Sequence, residues 1–303
     1  MIAPRAFHAV WLISACLGSA MPLAAQTVET VGSRALGMGG AFVAVANDSS
    51  ASWWNPAGLA AGPFLDMAIA RTATELDGTG TGDPNSVWSF SLGTPPFGVS
   101  YYRLRITDIR PLDPTAEPGA NREDRRAEVN VSQFGATILQ TLATGVHAGA
   151  TVKFVHGAGD GTVDLDVGVL AVAGAFRLGG VVRNVREPEF GGLRLPRQVR
   201  IGAAFDGEAV GMQPLMLALD ADLRVYDAGT GERRVIALGS EWWLFTRRLG
   251  VRGGALFNTA GTQARAITAG GSVAMRAGLY VDGHIVQGDA GEDGWGVAAR
   301  VSF

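Results

Sequence analysis

The chain is poor in cysteine, in long hydrophobic runs and in excess basic charge. Of its 303 residues one is cysteine, Cys16, so a disulfide framework is excluded. Although 47% of the residues are hydrophobic, no uninterrupted apolar run of about eighteen residues lies beyond the N-terminus, which argues against a membrane protein built of helices. The net charge is −3 and no basic patch is interleaved with aromatics, so nucleic-acid binding is excluded as well.

The N-terminus has the pattern of an export signal. Arg5 precedes a largely apolar stretch from Ala9 to Met21, and small residues follow as far as Ala25. We therefore predict that residues 1–25 are a signal peptide, cleaved after Ala25, which leaves a mature chain without a thiol. The alternative is a lipoprotein, because the Ile-Ser-Ala-Cys string that ends at Cys16 has the form of a lipobox.

From Phe64 onward, short segments alternate between apolar and polar residues. The 43 glycines disfavour long helices, whereas a period of two places the apolar residues on one face of a β-strand. In residues 294–303 the odd positions are apolar and the even ones are small or charged. We predict about fourteen strands, with twelve or sixteen as alternatives. They lie near 64–73, 87–93, 97–106, 127–142, 144–157, 163–175, 176–186, 197–206, 214–226, 232–244, 248–257, 264–275, 276–287 and 294–303.

The connections between these segments alternate in length. Those at 75–86, 107–126 and 288–293 are long and polar, whereas others, such as 93–96, are short. A soluble β-sandwich also has alternating strands, but long loops on one side and short turns on the other are typical of transmembrane barrels. The fold class predicted for residues 63–303 is therefore all-β, a transmembrane antiparallel β-barrel in the bacterial outer membrane, with membrane lipid as its surroundings.

Charged residues recur on the second face of the strands. An arginine that faced lipid near the midplane would cost about 2–4 kcal/mol, so we predict that this face lines the lumen. The opposite charges there can pair with one another and with Arg34 and Asp48 near the N-terminus. The predicted lumen-facing polar residues are Arg200, Asp220, Asp222, Arg224, Arg252, Asp282, His284 and Arg300.

The most specific string in the chain runs from Gly32 to Leu59 and reads GSRALGMGGAFVAVANDSSASWWNPAGL. It resembles the N-terminal signature of the FadL-type hydrophobic-compound transporters and of their PorV-like and UPF0164 relatives. Residues 41–46 are small and apolar enough to pack in a lumen, and the Asn-Pro step favours a turn into the wall. The alternative interpretation is a flexible linker after the signal. The residues that carry the resemblance are Arg34, Gly37, Met38, Gly39, Gly40, Phe42, Asp48, Asn55 and Pro56.

The resemblance implies a barrel of about fourteen strands, plugged by an N-terminal hatch that we place at residues 26–62. It implies passage of small hydrophobic compounds, with the cargo unidentified. In the PorV-like branch the barrel would instead be a component of a protein secretion or surface-assembly system, with exported proteins as partners. Phe303, at the end of an alternating strand, resembles the signal that the barrel-assembly machinery recognises.

Signals for enzymatic or cofactor chemistry are weak. His147, His156 and His284 lack the spacing of a metal site, and no serine motif supplies a nucleophile to Asp282 and His284, so we favour pairing of these two in the lumen over a barrel enzyme. Residues 288–294 favour a solvated hairpin loop over a calcium site. The chain is thus predicted to be no enzyme and to need no cofactor or metal. Candidates for interfacial aromatic girdles are Trp53, Trp54, Trp88, Trp242, Trp243 and Trp295.

Overall fold

The computed structural model describes residues 31–75, 85–109, 126–157, 159–190, 193–227, 231–289 and 293–303. The predicted signal peptide, Cys16 and the first residues of the predicted plug lie outside these ranges, as does part of the 288–294 loop. Within the described ranges, no helix is both long and apolar enough to cross a membrane.

Fourteen antiparallel strands form one closed barrel, because the first barrel strand pairs with both the second and the last. The prediction of an all-β antiparallel barrel of this size is confirmed. The strands of the described residues are β1 Asp66–Glu75, β2 Asn85–Thr94, β3 Phe97–Ile109, β4 Arg126–Ala143, β5 Val146–Gly157, β6 Asp160–Ala173, β7 Phe176–Arg183, β8 Glu189–Phe190, β9 Leu193–Arg194, β10 Gln198–Asp206, β11 Leu215–Asp222, β12 Tyr226–Asp227, β13 Glu232–Arg233, β14 Val235–Leu244, β15 Leu249–Asn258, β16 Arg265–Arg276, β17 Leu279–Gly288 and β18 Asp293–Ser302.

Two barrel strands end earlier than the sequence predicts. β7 stops at Arg183, because Asn184 adopts a positive φ of 54° that no strand continues through. β11 stops at Asp222, whose carboxylate accepts a hydrogen bond from the Val235 amide instead. The chain that follows each of them forms a separate two-stranded hairpin, β8–β9 and β12–β13.

The two faces of the wall have opposite chemistry. Outward positions expose large apolar side chains on every barrel strand, among them Ile69, Phe90, Phe154, Leu219 and Val297. Inward positions carry small, polar and charged residues that are largely buried. The short β2–β3, β4–β5, β6–β7 and β16–β17 connections and the C-terminus share one end of the barrel, which we call the turn end, and the other end is the loop end.

Residues 31–62, which we call the inner segment, lie inside the barrel. They form the helices α1 Ser33–Gly37 and α2 Ala51–Trp54 and the 3-10 helix Pro56–Ala61. Helix α1 contacts β15, β16 and β17, whereas the 3-10 helix contacts β4, β5 and β6 across the barrel. A segment that contacts opposite parts of a closed wall on its inward face must occupy the lumen, and Met38, Phe42 and Trp54 are accordingly fully buried.

Glycines line the wall wherever the inner segment lies against it. A Cβ at Gly179 would lie 2.6 Å from the Val43 carbonyl oxygen, and one at Gly239 would lie 2.5 Å from that of Met38. Gly39 itself has a φ of +67°, and a Cβ there would lie 2.8 Å from the Ala255 nitrogen. The segment backbone therefore packs directly on the strand backbones. These inward glycines, which we call the glycine belt, are Gly93, Gly98, Gly149, Gly168, Gly179, Gly202, Gly239, Gly254 and Gly270.

Two adjacent glycines test this packing. A Cβ at Gly254 would overlap the backbone of the inner segment and lie 2.7 Å from the Met38 carbonyl oxygen, whereas a Cβ at Gly253 has its nearest neighbour, Ser240 Oγ, at 3.9 Å. We expect Gly254→Ala to destabilise the folded barrel by about 1–3 kcal/mol through overpacking. Gly253→Ala should leave stability nearly unchanged, and thermal unfolding in detergent compares the two. Equal stability of both variants would show that the segment does not pack on β15 as described.

Candidate functional site

Arg34, on α1, joins the inner segment to the wall. Its Nε and Nη2 donate to the two carboxylate oxygens of Glu241 on β14, at 2.8 and 2.6 Å. Its Nη1 donates to Asn47 at 2.5 Å and to Asp48 at 3.2 Å within the segment. Burial by itself lowers the pKa of Arg34, but Glu241 and Asp48 outweigh that effect and hold the pKa above its usual value. The guanidinium therefore stays charged and joins the inner segment to the barrel wall.

From Glu241 the polar contacts continue along neighbouring strands of the wall. Arg252 on β15 donates to Glu241 at 2.7 Å and to Ser272 on β16 at 2.5 Å. Ser272 in turn donates to Asp282 on β17. Arg300 on β18 donates to Asp282 at 3.0 Å, so the charges alternate in sign from β14 to β18, with the neutral Ser272 on β16 between Arg252 and Asp282.

The same chain of contacts returns to the inner segment through β1. Arg300 Nη1 lies 3.4 Å from Asp66 Oδ2, and Asp66 Oδ1 accepts a hydrogen bond from the Ser49 amide at 2.8 Å. Ser49 follows Asp48 directly in the chain, so the contacts close on themselves. We call this closed set the charge circuit, and it contains Arg34, Asp48, Asp66, Glu241, Arg252, Ser272, Asp282 and Arg300.

On β11, next to β14, and on β6, across the lumen from the charge circuit, the wall and the segment bind through backbone groups. Asp220 Oδ2, on β11, accepts hydrogen bonds from the amides of Phe42 and Val43, both at 2.8 Å. Asn55 donates from Nδ2 to the carbonyl oxygens of Val43 and of Val169 on β6, at 2.8 and 2.9 Å. The segment is thereby fixed to β6 and β11 without any cation.

A second buried charge cluster lies toward the loop end. Lys153 on β5 bridges Asp164 and Asp166 on β6, with Nζ–carboxylate distances of 2.9 and 2.7 Å. It also donates to Asn184 Oδ1 at 2.7 Å, where β7 leaves the wall. The sequence analysis missed these residues, as it missed Asp66 and Glu241. Their inward parity within predicted strands is the signal that could have found them.

Most of the residues predicted for the site lie in the lumen, and one does not. The residues of the hatch signature lie in the inner segment, and Arg200 pairs with Asp222 at 2.7 Å on the inner wall. Arg224 differs from the expectation, because β11 ends before it and the side chain is exposed. Phe303 is largely exposed at the turn end, and its backbone exchanges two hydrogen bonds with Leu65.

The predicted pairing of Asp282 with His284 is absent. Asp282 accepts hydrogen bonds from Ser272 and Arg300 instead, because these neighbours on β16 and β18 lie closer to its carboxylate. Both ring nitrogens of the buried His284 lack a hydrogen-bond partner among the described residues. In the same residues no cluster of three or more potential metal ligands occurs.

Some of the aromatic residues belong to the barrel wall and others to the inner segment. Trp88, Trp242 and Trp295 are outward and about half exposed. Trp54 is fully buried and donates from Nε1 to the Val31 carbonyl oxygen at 2.9 Å. Trp243 is buried at the turn end, where its ring lies edge-on to Tyr280 at 5.8 Å.

No protein-family profile matches this chain, and no curated protein matches it significantly. Its fold is similar to that of solved channels and transporters. CymD, a monoaromatic hydrocarbon channel, is 12% identical over 92% of this chain and 99% of its own, with a TM-score of 0.67. The toluene transporter TbuX of Ralstonia pickettii is 13% identical, over 91% and 99% of the two chains, with a TM-score of 0.64. A FadL homologue of Pseudomonas aeruginosa is 11% identical, over 92% and 100%, with a TM-score of 0.66. At such identities the similarity establishes the fold alone.

Neutralising Glu241 tests the charge circuit. Glu241→Gln leaves Arg34 and Arg252 buried without their shared counter-ion, so we expect destabilisation by about 3–5 kcal/mol. The control is Asp289→Asn, which removes an exposed partner of Arg265 and should cost about 0–1 kcal/mol. Urea unfolding of both variants in detergent measures the difference. Similar losses of stability in the two would contradict a structural role of the circuit.

Proposed function

We propose that this chain is an outer-membrane barrel for the passage of small hydrophobic compounds, in which residues 26–62 form the plug. The observation that carries the proposal is a closed barrel, apolar on its outer face, whose lumen is occupied by a segment of its own chain. The solved structures of similar fold include channels and transporters for hydrocarbons, which supports this class of cargo. The cargo itself remains unidentified.

The outer face supports placement in a membrane. Each barrel strand exposes at least one large apolar side chain on the outer face. Such an apolar surface is unfavourable in water and favourable in lipid. Closure pairs every strand on both sides, so no strand edge is left unpaired in the hydrocarbon. We propose that residues 63–303 span the outer membrane after export by the signal peptide at 1–25, with Phe303 read by the barrel-assembly machinery.

The contacts of the inner segment support its role as a plug that has to move before a solute can pass. Its backbone lies directly on the glycine belt, so a solute can pass the segment only after part of it leaves the wall. On the β2 side, besides the packing of the segment on Gly93, a hydrogen bond of 2.8 Å joins Ser49 Oγ and Ser91 Oγ. This pair offers a position for a reversible tether, because cysteine is nearly isosteric with serine and the predicted mature chain has no thiol.

The test is the double variant Ser49→Cys, Ser91→Cys. We expect the oxidised protein to lose uptake of toluene into cells or liposomes, since the disulfide holds the plug to β2. A thiol reductant should restore uptake to the wild-type rate. Each single variant, with and without oxidant, is the control for effects of the cysteines alone. Equal uptake by the oxidised and reduced double variant would contradict displacement of the plug near β2.

The alternative that the sequence suggests is a PorV-like component of a secretion or surface-assembly system. That function predicts copurification of exported proteins with the barrel extracted in mild detergent. Passage of hydrophobic compounds predicts faster uptake of at least one such solute by cells that contain the protein. Copurified exported proteins, together with unchanged uptake of every hydrophobic solute tried, would replace the proposed function with this alternative.

A further inference from the structure

At the turn end, a cavity of about 180 Å³ separates the inner segment from the wall. The segment contributes Arg34, Asn47 and Asp48, and the wall contributes Asp66, Tyr280 and Arg300. The cavity thus lies beside the charge circuit, where the circuit passes from β18 through β1 to the segment. From the cavity volume and the state of its polar groups we propose a binding site there for a small aromatic carboxylate.

Each oxygen of the two carboxylates that line the cavity already accepts at least one hydrogen bond. Asp48 Oδ1 accepts hydrogen bonds from the amide and the hydroxyl of Ser50, and its Oδ2 accepts one from Arg34. Asp66 accepts from the Ser49 amide with one oxygen and from Arg300 with the other. A cationic ligand would have to share these carboxylate oxygens with the donors that already bind them.

Several donors, by contrast, have no acceptor among the described residues. Arg300 donates through Nε and Nη1, which leaves Nη2 unused, and the hydroxyl of Tyr280 and the Nδ2 of Asn47 make no hydrogen bond. Arg247 also lines the cavity and donates only from Nη2, to the exposed Glu208. Unused donors select a ligand that accepts hydrogen bonds, and because two of the residues that carry them are arginines, a carboxylate is the acceptor that binds them most strongly.

The volume and the rings narrow the class of anion. A cavity of roughly 150 Å³ suffices for benzene, so a single six-membered ring fits here. Trp243 and Tyr280 both line the cavity, with ring centroids 5.8 Å apart in an edge-on arrangement. The Arg300 guanidinium lies 4.7 Å from the Tyr280 ring centroid, which keeps it over the aromatic wall. A ring that lies in the cavity beside this aromatic pair, with its carboxylate toward Arg300 and the Tyr280 hydroxyl, uses both features.

The turn that carries Arg247 has an unusual backbone. Phe245, Thr246 and Arg247 have φ values of 51, 54 and 61°, and a β-branched residue such as Thr246 is rare in this region. The resulting conformation places the Arg247 guanidinium 6.0 Å from the Trp243 ring centroid, at the mouth of the cavity. Strained backbone that positions a cation beside a cavity is typical of ligand sites.

Binding of benzoate to the full chain in detergent, measured by calorimetry and by intrinsic tryptophan fluorescence, tests the proposal without reference to transport. We expect saturable binding of one benzoate per chain, and weaker or no binding of benzylamine, toluene and inorganic phosphate. The double variant Tyr280→Phe, Arg247→Gln removes two donors and retains both rings. It should weaken benzoate binding by about tenfold or more.

The matched control is Tyr101→Phe, Arg265→Gln, which makes the same changes on the outer wall and at the loop end. It should bind benzoate as the wild type does. Unchanged affinity in the Tyr280–Arg247 variant, equal binding of benzylamine or phosphate, or the absence of saturable benzoate binding would each overturn the assignment. Failure of toluene uptake would contradict the proposed function but not this assignment, because the assignment concerns binding of an anion and not transport.

Discussion

Inside a closed barrel, every inward position of the wall has to match the backbone that lies against it. The inner segment packs on nine strands through the glycine belt, and on most of them a Cβ would meet backbone of the segment. No rotation of a side chain relieves such an overlap, so the wall and the segment have to fit each other at the level of the main chain. This constraint explains where small residues occur in the wall and in the inner segment.

Charges inside the lumen obey a second rule, which is set by desolvation. A buried ion is costly unless another ion and additional hydrogen bonds satisfy it. The charge circuit meets this requirement by alternating signs from β14 round to β1 and by ending on Ser49 and Arg34 of the segment. Its effect is less to add stability than to specify position, because a shift of the segment by one residue would leave Arg34 and Glu241 buried without each other.

The wall consequently binds the segment by two different means. Backbone hydrogen bonds to Asp220 and from Asn55 fix it near β6 and β11, whereas ion pairs fix it near β14. A contact zone with free volume, at the turn end, lies beside the ion pairs of Arg34 and Arg300. The site proposed for an anion and the part of the segment held by charge are therefore adjacent.

The sequence by itself determined the strands, because alternation with period two is a local property that does not depend on the partners of a strand. The alternation of long and short connections then predicted that these strands form a barrel. The sequence also identified Asp220, Arg252, Asp282 and Arg300 as inward residues, since each lies on the polar parity of its strand. Only the tertiary structure decided their partners. Asp282 contacts Arg300 and not His284, and Arg34 reaches Glu241 across more than two hundred positions of sequence, because closure sets which strands are neighbours and burial sets which charges must meet.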